Sequence, residues 1–366
     1  MSSFFEIIQF QPYFLNDYYI YLVSTHIFLS GGPIYGITEA FIRIKELLNL
    51  SFHWGTGYSY PPPLLFLFLP LSFLPSHLSG LVWFGLNCML YVYYIRRINH
   101  FRHSSTLLPF FLTFLPVLGS LYVGQINIAM LWLLTIFLGQ KNEYIRGILL
   151  GVLSVIKPHL LLLIIPEAMT HKYRSVLIAV VTCIGLLFLT PSYSLSYITD
   201  ILPLLQSDHS SYFHLQSFHT LIHRMFSFAP HSIFISVIDI SIPLILFIYL
   251  VFRKNSKQIY FLWLTYVSLF AGLNSFINFT LLLPAYIYLL DNRKHFSGVS
   301  LILYKSIFAV TNGLFVISIL AERLVTPHTV VGTISYAFIT SLGCISSILL
   351  FVLLLRINNA GRRIRI

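Results

Sequence analysis

Apolar runs of near span length recur along most of the chain from residue 77 onward. Crossing a bilayer takes about 20 predominantly apolar residues in a helix. Lipid forces the backbone to satisfy its own hydrogen bonds, so repeated runs of this length predict a helical bundle. Such runs fall near 77–95, 105–122, 124–139, 174–190, 231–252, 258–272, 275–290, 299–320 and 329–355. Only 9% of residues are charged and the mean hydropathy is +0.83, against about 25% charged in a soluble domain. The 33 Phe and 23 Tyr suit aromatic belts at a lipid boundary. The expected fold is therefore all-α, a polytopic membrane bundle forming one integral domain over 1–366.

A net charge of +11 would ordinarily raise a nucleic-acid partner. The basic residues instead sit in short clusters between apolar runs, where cytoplasmic loops lie, so no nucleic acid is expected. Cys88, Cys183 and Cys344 all lie within apolar runs and read as unpaired buried thiols.

The stretch 145–170 is interrupted by Lys157-Pro158. Proline breaks the helical ladder, and a lysine at mid-bilayer is costly. Two short helices meeting at Lys157 on one face resolve both problems and give about eleven spans. Sixteen of the 22 basic residues then share one side, which the positive-inside bias makes cytoplasmic together with the C-terminus. The proline-studded 61–75 reads as re-entrant or interfacial, placing residues 1–60 on the outer side. Within them, 37–50 sets Ile37, Phe41, Ile44 and Leu48 on one helical face, opposite Glu39, Arg43 and Glu46, as in a helix resting on a membrane surface. Residues 191–230 form a second long outer loop, and long loops on one side of a bundle are where sites are built.

Several polar groups need explaining. Asp17 sits in an aromatic stretch, Asn16-Asp17-Tyr18-Tyr19, where desolvation would make it a better base; it is also placed to cap a helix. Lys157, at the hairpin vertex, suits a phosphate or a snorkelling role at the headgroups. In 214–226 (HLQSFHTLIHRMF) Ser217 is positioned to cap a helix carrying His219, His223 and Arg224. The two histidines, four apart, share a face, but no Asp, Glu or Cys stands at ligand spacing within the motif. A phosphate on Arg224 and one histidine is preferred to a metal, and an exposed helix without a role stays open. Gln125 and Asn127 either bind sugar or cross-link helices, as do Asn274, Ser275 and Asn278. Asp239, deep in 231–252, is expected to pair with Lys305.

The ordered set of these features carries a resemblance. An acid precedes a surface helix, followed by Tyr60-Pro61-Pro62-Pro63, Gly124-Gln125-x-Asn127, and Gly147-x-x-x-Gly151 ahead of Lys157-Pro158-His159. Gln216-Ser217 with Arg224 and then Asn274-Ser275 complete it. Over about 13–290 the chain resembles the polyprenol-phosphate-mannose-dependent mannosyltransferases of the GT-C superfamily. That resemblance implies inverting, metal-independent and cofactor-free transfer of a hexose such as mannose. The donor would be a polyprenyl phosphate sugar, the acceptor a glycolipid or glycan, and the site would face outward from a bacterial plasma membrane. It further implies Asp17 as general base, with Lys157, Arg224, His219 and His223 on the donor phosphate. Gln125, Asn127, Gln216 and Asn274 would contact sugar or acceptor. The pattern departs from the family in two places. MSSFFEIIQFQPYFL is too short to span, where members begin with a membrane helix; a start upstream or a lost helix would account for it. NSFINF replaces an aromatic and histidine cluster near 274–279. A polysaccharide polymerase or ligase, a lipid-linked glycan transporter and a catalytically silent member are the other classes. A transporter would show broken helices in both halves, and only 145–170 is broken.

Overall fold

The structure, a computed structural model, describes residues 14–50, 57–102, 113–206, 217–226, 233–253, 258–270, 276–292, 298–307, 310–311, 339 and 341–356. Among these, all regular structure is helical. Among the described residues, two helices are long and apolar enough to cross a membrane, over Ser76–Ile98 and Ile233–Phe252. A third span results if Tyr173–Phe188 and Pro191–Leu204, bent by 109°, count as one. Six shorter apolar helices, such as Asn127–Gly139 and Ile259–Phe270, have 10–17 residues. Much of the expected spans at 105–122, 299–320 and 329–355 lies outside the described residues. The protein is a helical membrane protein, and its described residues fall into two compact units.

The first unit takes in Met1–Leu108, Val117–Pro158 and Leu177–Leu205. Its centre is α1 (Asn16–Leu29), which packs on α2 (Glu39–Leu47), α3 (Leu65–Ser72) and α4 (Ser76–Arg102). Thr38 caps α2 by accepting from the Phe41 N–H, as a threonine at that position does. Phe41 is fully buried while Arg43 and Glu46 stay exposed, so the amphipathic helix expected at 37–50 forms and docks its apolar face on α1. A 3-10 turn at Pro62–Leu64 leads into α3. Pro62–Ser72 is about half the length a span requires, in line with a short helix at 61–75.

The α1 packing is aromatic. Tyr18 stacks on Trp83 at 5.9 Å and Tyr21 on Phe68 at 4.9 Å between ring centroids. The Tyr18 hydroxyl is bonded to Ser79 on α4, satisfying the one polar group that burial of a tyrosine would strand.

Beyond α5 (Leu115–Val123) and α6 (Asn127–Gly139) comes α7 (Glu143–Ile156). Asn142 caps α7 through the Tyr144 N–H. Arg146, fully buried, donates to the carbonyls of Phe137, Leu138 and Gln140 at the end of α6. The last carbonyls of a helix are under-satisfied within it, the Phe137 oxygen keeping only the cap N–H of Gln140, and a guanidinium there also complements the helix dipole. Gly151 lets α7 approach α9 (Tyr173–Phe188). A Cβ at Gly151 would lie 2.6 Å from Thr182 Cβ and 2.8 Å from the Ala179 carbonyl, closer than any side chain permits.

The second unit comprises Pro109–Pro116, His159–Val176 and Gln206–Ile366. A 3-10 stretch at Pro158–Leu163 precedes α8 (Ile164–Met169). Along the chain α10 (Pro191–Ser196), in the first unit, and α11 (Leu202–Gln206) intervene. The second unit then continues with α12 (Phe218–Met225), α13 (Ile233–Phe252), α14 (Ile259–Phe270), α15 (Leu283–Asp291) and α16 (Leu342–Arg356). Nearly every residue of α14 is buried, marking it as the unit's core. By contrast α13 is apolar but open, with Ile233 82% and Phe252 78% exposed; such a surface fits lipid rather than water. Polar order inside this unit comes from Tyr286, Thr311 and Ser346, whose hydroxyls are mutually bonded at 2.7–3.0 Å.

Candidate active site

The turn between α5 and α6 sets the first half of the site. Gly124 adopts φ +71° and ends α5 with two hydrogen bonds, Gly124 N–H to Leu121 O and Gln125 N–H to Ser120 O. This pairing is a Schellman cap, whose left-handed position favours glycine. Here a second reason reinforces the first. A Cβ at Gly124 would come within 2.8 Å of both Leu15 and Tyr18, so the turn is pressed against the start of α1. The Leu15 N–H donates to Tyr122 O at 2.8 Å, and Trp83 Nε1 donates to Gly124 O at 2.7 Å. Gln125 is thereby delivered beside Asp17 on the first turn of α1.

The amide order around Asp17 is directional. Asn127, fully buried at the start of α6, donates to Ser120 Oγ at 3.3 Å and also to Gln125 Oε1. With its oxygen occupied, Gln125 has its NH2 left to face the Asp17 carboxylate, whose charged form it favours together with Asn16. Gln125 and Asn127 thus cross-link helices and also orient the acid.

Lys157 supplies the cation. Proline disfavours helical backbone at the preceding residue, and Lys157 accordingly sits at φ −130°, ψ 94° and ends α7, its N–H bonded to Leu153 O. Its side chain is 4% exposed, with Nζ 5.7 Å from the Tyr60 ring centroid, a cation–π contact. Asp17 and Lys157 are close enough for each to act on the other's charge. Asp17 lies on α1, which is not one of the helices long and apolar enough to span. Burial pushes its carboxyl above the ordinary range, and Gln125, Asn16 and Lys157 pull back against that rise. Asp17 nevertheless keeps some accessible surface, as a group that must meet a substrate requires.

Beside this pair stands a cluster of tyrosines that the sequence reading missed. Tyr60 lies edge-on to Tyr21 at 5.5 Å, and Tyr58 lies between Tyr60 at 6.2 Å and Tyr35 at 5.8 Å. Tyr35 in turn meets Tyr197 at 6.2 Å. The signal was present in Tyr58-Ser59-Tyr60 ahead of the proline run. Gly57, at φ +73°, brings that segment against the Gly36 backbone, where a Cβ would sit 2.9 Å from the Gly36 carbonyl.

The remaining expected residues belong to the second unit. Ser217 caps α12 through the Thr220 N–H at 3.2 Å. Arg224 is 5% exposed and bonded to Ser341 Oγ at 3.1 Å. Asp239 meets His219 and His223, not Lys305. His219 Nδ1 is 2.5 Å and His223 Nε2 3.9 Å from Asp239 Oδ2, whereas Lys305 is exposed. The expected Asp239–Lys305 pair is thus corrected, because α12 packs on α13 and brings two imidazoles to the acid first. Gln216 and Asn274 lie outside the described residues.

Four of the nine expected site residues therefore gather in one unit: Asp17, Gln125, Asn127 and Lys157. A base held beside a buried ammonium, both within a wall of tyrosines, can take a proton from a hydroxyl and neutralise an anion. No curated protein and no solved structure matches the chain. Residues 58–284, more than half of its length and including Tyr60, Gln125, Asn127 and Lys157, match glycosyltransferase family 87. The chain is a membrane glycosyltransferase by family, and the family to which it belongs is glycosyltransferase family 87.

Proposed function

We propose that the protein transfers a hexose such as mannose from a polyprenyl phosphate donor to a hydroxyl of a glycolipid or glycan acceptor. The transfer takes place on the non-cytoplasmic face and inverts the anomeric centre. One observation carries this reading: an oriented carboxylate, Asp17, stands beside a buried lysine, Lys157. Asp17 accepts the acceptor's hydroxyl proton as that oxygen bonds to the anomeric carbon. The bond from that carbon to the phosphate oxygen breaks on the opposite side, and the phosphate leaves with its electron pair. A phosphate leaving group needs charge stabilisation rather than a proton, and the Lys157 ammonium provides it. The tyrosine cluster offers aromatic faces for the sugar or the first isoprene units. Arg224, bonded to Ser341, and the two histidines, held by Asp239, are assigned no step.

Mass spectrometry of lipid-linked and surface glycans in wild-type, deletion and Asp17→Asn strains tests the proposal. Loss of the same single hexose in both mutants, with the variant inserted at normal levels, is the expected result. Unchanged glycans in the Asp17→Asn strain beside altered ones in the deletion would remove Asp17 from the chemistry. A change in chain length rather than in one residue would favour a polymerase or ligase.

A further inference from the structure

We infer that His219, His223 and Asp239 form a binding site for a divalent transition-metal ion of the Zn2+ class. One ligand atom from each of the three lies within 4.8 Å of the others. The two histidines are four residues apart on α12 and so project from one face of it. Their ring centroids are 4.1 Å apart with planes inclined by 42°, so the rings are tilted together rather than splayed. Asp239 comes from the neighbouring α13, which makes the set a cross-link between two helices rather than a local turn.

The donor chemistry selects the ion. Two imidazole nitrogens and one carboxylate oxygen match borderline ions such as Zn2+, whereas Mg2+ and Ca2+ favour oxygen ligands. Three protein ligands with one position left for water form a common zinc set. Ligand atoms around tetrahedral zinc stand about 3.3 Å apart for bonds of about 2.0 Å. The observed separations from Asp239 Oδ2, 2.5 Å to His219 Nδ1 and 3.9 Å to His223 Nε2, lie on either side of that value. With all three ligand atoms within 4.8 Å of one another, an ion enters after side-chain adjustments of up to about 1.5 Å. Access is open as well. The His219 side chain is 30% exposed, Asp239 19% and His223 18%, so an ion can reach ligands whose own positions are restrained by packing. In the ion-free state the proton shared between His219 and Asp239 occupies the same gap. When the ion replaces it, neutral His219 carries its proton on the other ring nitrogen. The transfer chemistry proposed above needs no metal, so this ion would brace α12 against α13.

Full-length protein in detergent, stripped with chelator and titrated with Zn2+ alone, provides the test. Calorimetry should give one site per chain that excess Mg2+ does not compete away. Asp239→Asn, His219→Gln and His223→Gln should each weaken it at least tenfold, and Zn2+ should raise the Tm of the wild type but not of the triple variant. His223→Cys separates ligand loss from misfolding: it should keep binding and show a thiolate-to-cobalt charge-transfer band with Co2+ that the wild type lacks. Equal Zn2+ binding by the wild type and the triple variant, no binding by the wild type, or no new band in His223→Cys would each overturn the site. The three residues would then form only a hydrogen-bonded cluster.

Discussion

The two units solve the problem of placing charge in an apolar protein differently. In the first, Asp17 and Lys157 come from distant parts of the sequence and are held by an aromatic and amide scaffold that leaves Lys157 4% exposed. In the second, His219 and His223 share one short helix and meet Asp239 from the next, all partly open. Bringing an acid and a base together deep in a low-dielectric setting costs desolvation free energy, and losing one partner strands the other. A half-open cluster of histidines has a smaller penalty and tolerates exchange of a proton for an ion. The contrast teaches that reactive groups need the more heavily supported setting, because their geometry must survive substrate entry.

The largest effect that would break this contrast is expected at Asp17. Removing a general base costs about 10²–10⁴ in rate. Asp17→Asn keeps the shape and the bonds from Gln125, so transfer measured in vesicles with a radiolabelled polyprenyl phosphate sugar should fall within that range. Binding of the donor should change less. A variant within threefold of wild type would show that the scaffolded unit is not where the proton goes. Lys157→Met comes next, with a rate loss of about 10²–10³ for a lost charge-stabilising donor. Given its proposed role on the departing phosphate, loss of Lys157 should lower kcat more than it raises KM. An effect on KM alone would make Lys157 a donor-binding group and nothing more.

Third is the scaffold itself. Gly124→Ala meets both a left-handed backbone, worth about 1–2 kcal/mol for a side chain, and overpacking against Leu15 and Tyr18, worth about 1–3 kcal/mol. Thermal unfolding in detergent should show a clear loss of Tm, accompanied by loss of transfer, since the same turn positions Gln125. Gly85→Ala, on α4 with nothing within 4 Å of the added carbon, should leave Tm unchanged or slightly raised. Equal Tm values for the two variants would deny the close approach of the α5–α6 turn to α1.

Much of this architecture was legible in the chain. Proline after Lys157 dictated the helix end, Ser217 its cap, and the 37–50 pattern its amphipathic helix, because each rests on a rule acting within one helical turn. Asp239 was misread because a rule about charges in spans points to the other charge within a span, Lys305. Which helix packs on α13 is decided by tertiary contacts that no local pattern encodes. The tyrosine cluster was missed for the same reason: Tyr21, Tyr58 and Tyr197 stand on three separate segments. Gln125 and Asn127 stood out in the chain as polar groups in an apolar stretch, but the direction of their amides depends on Ser120 and Asp17 at once.

The smallest effect sharpens the contrast most. In its proposed role Asp17 would work as a base only when ionised, so transfer should fall on acidification as its carboxyl takes up a proton. Burial raises that carboxyl above its ordinary value of 3.8, while Gln125 and Asn16 bonds and the Lys157 charge lower it. The acidic limb of kcat/KM should therefore lie above the usual aspartate range. Gln125→Leu removes a bond that favours the ionised form, so the limb should move further up, toward neutral pH, with little loss of rate at alkaline pH. A shift of one unit corresponds to about 1.4 kcal/mol, the size of one hydrogen bond to a charged group. Any limb that moves down, or stays in place, would mean that the Gln125 amide bonds the neutral acid or does not touch it. Asp17 would then owe its position to α1 packing alone, and the supported unit would be no better organised around its acid than the open one.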